Sequence, residues 1–340
     1  MTHVDALARP SFLDPARIRR SLVLALGVVA PWGLGIGLGD AASGSIASFG
    51  CYLLIVSFPS VPDSRPLATL GLSALVLGAS ATVGAGVALG GVGFFCLAVL
   101  AAVAQAVMEL RGGPLRLPVA LATLAFFLSV AQVPDDGWLL YGALFLAGAV
   151  WGSALAVLVL PRGPSQPTSL AIPDRAGARF VGAAVAASLL GGVAALLSPS
   201  PHPGWLPAAA LRVLKPTRSE TLSRMKRRGI GSLLGAAVGG LLLGFSGAAW
   251  LHTLLVGVLV FAMLVIGAKR YGAWTFCLTA VALAFDLGPA ADPVPMALDR
   301  VLLTAGGLLV AAAVFTLLPG QATSPTASDG PDGASRHRAP

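Results

Sequence analysis

The stretch Lys215–Gly240, KPTRSETLSRMKRRGIGSLLGAAVGG, decides how the chain is read. Together with Arg212 just upstream, it gathers seven of the 22 Lys and Arg residues into seventeen positions. A glycine-rich apolar run follows directly. Thr217 and Glu220 form a T-x-x-E pattern, in which the threonine oxygen caps a helix start and the glutamate bonds back. The pattern predicts a helix that begins near Arg218 in aqueous surroundings and enters an apolar phase near Gly229. On that helix Arg224, Arg228, Gly231, Gly235 and Gly239 fall near one face, because they are spaced by three or four. Gly231, Gly235 and Gly239 also make two overlapping G-x-x-x-G steps, which let another helix approach closely.

The composition names the apolar phase. Of 340 residues, 56% are hydrophobic and 11% are charged, against about 25% charged in a soluble domain. The 42 glycines and 25 prolines sit inside Leu/Val/Ala runs and do not signal disorder. The chain reads as an integral membrane protein. Twelve apolar runs stand out at about 21–39, 43–60, 67–89, 91–109, 115–133, 138–160, 178–198, 203–215, 229–246, 248–267, 271–288 and 298–318. The eighth is the shortest and starts at a proline. No cleavable leader is expected, since the first run lacks a cleavage site and many more runs follow.

With the N-terminus inside, Arg17, Arg19, Arg20, Arg65, Arg111, Arg116, Arg162, Arg175, Arg179, the 212–228 cluster, Lys269 and Arg270 all fall on the cytoplasmic side. Arg300 is the exception. Asp40, Asp135, Asp136, Asp286, Asp292 and Asp299 collect outside. This pattern predicts an even number of spans and both termini in the cytoplasm.

The two halves look alike. Pro59 and Pro216 each end a run at the inner face, and Gly78 and Gly235 follow nineteen residues later. LAGAVWGSALAVLVLP closes at Pro161, and TAGGLLVAAAVFTLLP closes at Pro319. The offset is near 157 residues throughout. Six spans per half is an even number, so the halves would be parallel repeats about an axis along the membrane normal. The expected organisation is a cytoplasmic segment 1–20, a first six-span half 21–160, a linker 161–177, a second half 178–319 and a disordered tail 320–340. The fold class is thus an all-α polytopic membrane protein.

Two readings of the basic stretch stand side by side. Basic clusters at inner helix ends fix topology and bind anionic lipid headgroups. Alternatively, the arginines form a vestibule that collects anions, since guanidinium groups present forked donors to carboxylate or phosphate. Other candidates are equally two-sided. Arg300 beside Asp299 is either a functional ion in a span or a local pair. Trp205 is either a stacking partner for an aromatic ring or an interface belt residue. Asp286 reads as an outer-mouth helix end or a proton carrier, Glu109 as an inner-interface carboxylate or a proton relay, and His252 as a packed histidine bonded to backbone or a proton switch. Cys51, Cys96 and Cys277 read as small core residues. The four histidines have no metal-ligand spacing. No nucleotide, zinc-hydrolase or serine-hydrolase motif occurs, so no enzyme activity, cofactor or metal is expected. The inner-loop bias accounts for the basic charge without nucleic acid.

The segment PGWLPAAALRVLKPTRSETLSRMKRRGIGSLLGAAVGGLL resembles the signature of the fusaric acid resistance protein-like (FUSC) family of integral membrane bound transporters. The matching positions are Trp205, Pro216, Thr221, Leu222, Arg224, Arg228, Gly231, Ser232 and Gly235. The family's last span is similar to RVLLTAGG, with Arg300, Thr304 and Gly307, closing at Pro319. The likeness covers about 178–319 and is degenerate over 20–161. It implies kinship with exporters of aromatic acids and with aluminium-activated malate channels. It also implies a large cytoplasmic domain between the halves in many bacterial members, where this chain has only the 161–177 linker. The expected function is export of organic anions, including aromatic carboxylates, across the cell inner membrane, driven by membrane potential or a proton gradient. Expected path residues are Arg224, Arg228, Gly231, Ser232, Gly235, Gly239, Arg300, Thr304 and Trp205. Expected partners are the small organic anion, anionic lipid headgroups and, as an open alternative, a second copy in a homodimer. The competing reading is a membrane scaffold that transports nothing.

Overall fold

The computed structural model describes residues 14–130, 132, 137–163, 174–244, 249–267, 270–286 and 293–317. Among them are twelve α-helices: α1 (Pro15–Leu38), α2 (Ala41–Ser57), α3 (Pro66–Gly86), α4 (Val92–Arg111), α5 (Arg116–Ser129), α6 (Trp138–Val159), α7 (Asp174–Leu196), α8 (Trp205–Val213), α9 (Arg218–Gly244), α10 (Ala249–Ile266), α11 (Tyr271–Asp286) and α12 (Pro293–Leu317). Each expected apolar run overlaps one helix. The expected tail 320–340 and most of the linker lie outside the described residues.

Local chemistry sets several boundaries. Asp14 caps α1 by accepting from the Ala16 N–H at 3.0 Å, and Pro15 occupies the first turn, where its missing N–H costs nothing. Gly39, at φ 80°, ends the same helix in the left-handed region. Inside α1, Pro31 has no N–H to give the Gly27 carbonyl. That carbonyl accepts from Trp151 Nε1 at 2.9 Å, and the neighbouring Trp32 N–H turns to Ser48 Oγ at 3.0 Å. In an apolar surrounding each such group must find a partner in the protein. Here the partners come from α6 and α2.

The start of α9 departs from the expected capping box in detail. The helix begins at Arg218 as expected. Thr221, rather than Thr217, carries most of the side-chain bonding: its Oγ1 accepts from the Lys215 N–H at 3.0 Å and lies 3.1 Å from the Lys215 and Thr217 carbonyls. Glu220 pairs forward with Arg224 at 3.2 Å.

Among the described residues six helices are long and apolar enough to cross a membrane: α1, α3, α4, α6, residues Arg175–Leu196 of α7 and Val294–Leu317 of α12. Large apolar side chains such as Leu26, Leu75, Leu100, Leu158 and Leu309 are exposed around the outside. An all-helical bundle with this surface is a polytopic membrane protein. The expectation of a span over 203–215 needs correction. Helix α8 has nine residues, which rise about 14 Å, well short of a roughly 30 Å hydrocarbon core. Helices α2, α5, α10 and α11 are also shorter than the six named. Cys96 is exposed on α4, against the expectation of a core position, while Cys51 and Cys277 are buried.

The packing has a regular plan. Within the first half α1 packs on α2, α2 on α6, α3 on α5 and on α6. Within the second half α7 packs on α8, α8 on α12, α9 on α11 and on α12. Between the halves α1 meets α10 and α4 meets α7, with α5 against α8 and α2 against α11 in the middle. The shorter helices α2, α5, α8 and α11 thus line the central seam. A two-residue parallel pairing, Val61–Pro62 with Arg162–Gly163, ties the segment after α2 to the segment after α6.

The α9–α11 contact is backbone against backbone. A Cβ on Gly231 would stand 2.6 Å from the Gly272 carbonyl oxygen, one on Gly235 would collide with the Phe276 carbonyl oxygen, and one on Gly239 would stand 3.0 Å from Ala280 Cα. Gly33 on α1 has nothing within 4 Å. Gly231→Ala should therefore cost about 1–3 kcal/mol, read as a lower melting temperature in detergent, whereas Gly33→Ala should leave melting unchanged. Equal melting of the two variants would refute the backbone contact.

Candidate functional site

The seam carries two polar regions, one towards each end of α8. The first surrounds a cavity of about 120 Å³. Ser45, Ile46 and Phe49 of α2 line it, with Leu128 of α5, Gln132, Tyr141 of α6, Trp205 of α8 and Ala282 of α11. Every one of these lies near the helix ends that the charge bias assigns to the outer side. Trp205 is buried, and the Arg300 guanidinium lies over its indole ring, a cation–π arrangement. Arg300 is itself 5% exposed. Asp299 does not hold Arg300 as a local pair: its Oδ2 accepts from Ser200 Oγ at 2.6 Å. Gln132 Nε2 bonds His202 Nδ1 at 2.8 Å, and the Ser129 and Tyr141 hydroxyls meet at 3.1 Å. The result is an aromatic-walled chamber lined by amide and hydroxyl groups, with one cation behind its Trp205 wall.

The second region lies at the opposite end. Lys215, in the turn between α8 and α9, reaches Glu109 of α4 at 2.6 Å, and Arg116 at the start of α5 stands 3.8 Å from the same oxygen. Both partners of the shorter pair are largely buried. Arg224 lies 4.9 Å above the Tyr271 ring centre and pairs with Glu220. Arg212, in the last turn of α8, is close to Glu109, Tyr271, Arg224 and Arg228. Gln105 Nε2 holds the Leu211 carbonyl at 3.3 Å and so fixes the end of α8 to α4.

These positions revise the candidates named from sequence. Gly231, Gly235 and Gly239 pack on α11 and do not line the seam cavity. Ser232 is buried and accepts from Thr279 Oγ1 of α11 at 3.1 Å. Thr304 is buried on α12, one turn from Arg300. Trp205 is buried in the seam, so it is not a membrane-interface belt residue. Arg224 and Arg228 sit together beside Tyr271 at the Lys215 end of the seam, and Arg300 and Trp205 sit together at the other. His252 bonds the Ala284 carbonyl at 3.1 Å and meets the Trp32 ring edge-on. Helix α11 ends at Asp286. Among the described residues no His/Cys/Asp/Glu group could hold a metal ion.

Sequence reasoning did not single out Tyr271, Gln105, Phe49 or Tyr141, and it counted Arg212 only as charge. One signal was legible for Arg212. It follows Trp205 by seven residues, two helical turns, and so shares its face.

A multi-helix membrane protein with a polar, aromatic-walled chamber in a seam between two six-helix halves is of transporter type. The sequence model of the fusaric acid resistance protein-like family matches residues 188–314, so this part of the chain is similar to that family. No protein of curated function and no solved structure matches the chain.

The Glu109–Lys215 pair joins the two halves at the α8–α9 turn. Removing one partner of a buried pair leaves an uncompensated charge and costs about 3–5 kcal/mol. Glu109→Gln should accordingly lower the melting temperature in detergent, and adding Lys215→Met should restore most of the loss. A double variant no more stable than the single one would show that the pair is not coupled.

Proposed function

We propose that this protein moves organic anions outward across the cell membrane along the seam between its halves, with aromatic carboxylates as the favoured substrates. The observation that carries the reading is the buried Arg300 guanidinium over Trp205, whose side chain lines the seam cavity. A carboxylate suits the cation, and a ring suits Phe49, Tyr141 and Trp205. The 120 Å³ volume suits a solute with a single ring. On this reading Arg224 and Arg228 raise the local concentration of anion at the cytoplasmic mouth. With the cell interior negative, outward movement of one negative charge is favoured by about 2.3 kcal/mol per 100 mV, so no ATPase is needed.

The reading includes a duplicated architecture of two six-helix halves, in which α8 enters the membrane without spanning it. Two features support it. A shift of 157 residues carries each helix of the first half onto a helix of the second, and it carries the helix pairings with it. The short helices α2 and α8 correspond under that shift, and short segments in matching positions of two halves mark transporter binding sites.

The test is flux from proteoliposomes loaded with benzoate or with malate under a potassium-diffusion potential. Potential-dependent benzoate efflux is expected, at least tenfold slower in Arg300→Gln and in Trp205→Ala, with Arg17→Gln unaffected. Absence of efflux from folded protein for either acid would discard transport and favour the scaffold.

A further inference from the structure

The inner end of the seam holds charged donors that no carboxylate serves. Arg116, Arg212, Lys215, Arg224 and Arg228 meet there with Glu109 and Glu220. Glu109 is taken by Lys215 and Arg116, and Glu220 by Arg224. Arg228 is 5% exposed, and its Nε and Nη1 have no hydrogen-bond partner among the described residues. The same holds for Arg212 Nε and the Tyr271 hydroxyl. That hydroxyl sits close to both guanidinium groups without a well-formed bond to either.

This arrangement is unfavourable as it stands. A guanidinium stays charged in any protein. A buried donor left unmade costs about 1–3 kcal/mol, and more when it is charged. Two such groups side by side also repel. An oxyanion between them would satisfy several donors at once, in charge-assisted bonds roughly twice as strong as neutral ones.

The surroundings hold the donors in place. Arg224 covers one side of Tyr271, whose ring also stacks on Trp274 at 6.2 Å. Gly231 locks α9 against α11 one turn beyond Arg228. Gln105 pins the end of α8.

We propose that Arg212, Arg228 and Tyr271 form an oxyanion-binding site, taking a carboxylate or phosphate group at the inner end of the seam. Two helical turns of α8, about 10 Å, separate it from the Trp205–Arg300 wall. Tyr52 of α2 stands between, stacked on Phe49 at 6.2 Å and close to Arg212. The donors define the site by themselves. Its service as the first stop for a departing anion rests on the transport reading above.

The test is direct binding to the purified full-length chain in detergent, followed by melting. Sodium benzoate, sodium acetate and inorganic phosphate are titrated against sodium chloride at matched ionic strength. A saturable rise in melting temperature beyond that of chloride is expected for at least one oxyanion. It should vanish in Arg212→Gln and Arg228→Gln, weaken at least tenfold in apparent affinity in Arg228→Lys and Tyr271→Phe, and persist in Arg227→Gln, an exposed neighbour. Arg228→Lys keeps the charge and guards against a mere folding defect. Competition by phosphatidylglycerol identifies the source: displacement of benzoate by lipid at lower concentration makes the occupant a lipid phosphate, and the reverse makes it a soluble carboxylate. Folded wild-type protein that no oxyanion stabilises beyond chloride would overturn the site. So would arginine variants that bind as wild type does. Binding without flux would sink transport and leave this site, whereas flux without binding here would do the opposite.

Discussion

Backbone-to-backbone contact between helices is the constraint on which this structure depends. Without a hydrophobic drive between helices in lipid, close van der Waals packing does the work. Glycines supply it at matched places. Gly50 and Gly148 bring α2 onto α6, Gly84 brings α3 onto α5, Gly231 and Gly235 bring α9 onto α11, and Gly307 brings α12 onto α8. Each contact presses a bare glycine against a backbone carbonyl of the neighbour. Once these pairs are fixed within each half, the short helices α2, α5, α8 and α11 are left to meet across the middle.

That placement explains where polarity is tolerated. The outer surface is apolar, with Leu26, Leu75, Leu158 and Leu309 exposed. The seam instead contains Arg300, Arg212, Gln132, Tyr141 and Tyr52. Ionisable groups within a membrane bundle face its interior and pair there. Here the pairing is uneven. At the Trp205 end the Arg300 guanidinium rests on an indole face. At the Lys215 end Glu109 neutralises Lys215, while Arg212 and Arg228 keep vacant donors. The same helix, α8, presents Trp205 to one region and Arg212 to the other. Its shortness and its buried faces suit it to line a route more than to wall off lipid.

The two halves share their pairings but not their chemistry. At an offset of 157 residues, Arg212 corresponds to Ile55, Trp205 to Ser48, Arg300 to Ala143 and Glu109 to Ile266. The second half supplies the cations of both regions except Arg116. The first half supplies Glu109, Gln105, Phe49 and Tyr141. Each polar region therefore needs residues from both halves, and the family match over 188–314 accounts for only one of the two contributors.

Sequence by itself determined the apolar runs, the clustering of basic residues at 212–228, the start of α9 at Arg218 and the 157-residue offset. These follow from local rules: hydropathy over a span, capping chemistry and spacing along one helix. The glycine face of α9 was legible for the same reason, since positions 231, 235 and 239 must share a side. What covers that face was not, and only the tertiary structure turned it towards α11 and away from the seam. Nor could sequence decide whether Trp205 faced lipid or protein, because both environments accept an indole. The length of α8 was likewise hidden: hydropathy continues through Leu214, but the helix stops at Val213, just before Lys215–Pro216, where the residue preceding a proline is driven from helical geometry. The meeting of Arg212, Arg228 and Tyr271 joins three helices separated by up to 59 positions in the chain. No spacing rule reaches that far, and packing alone brings those donors together.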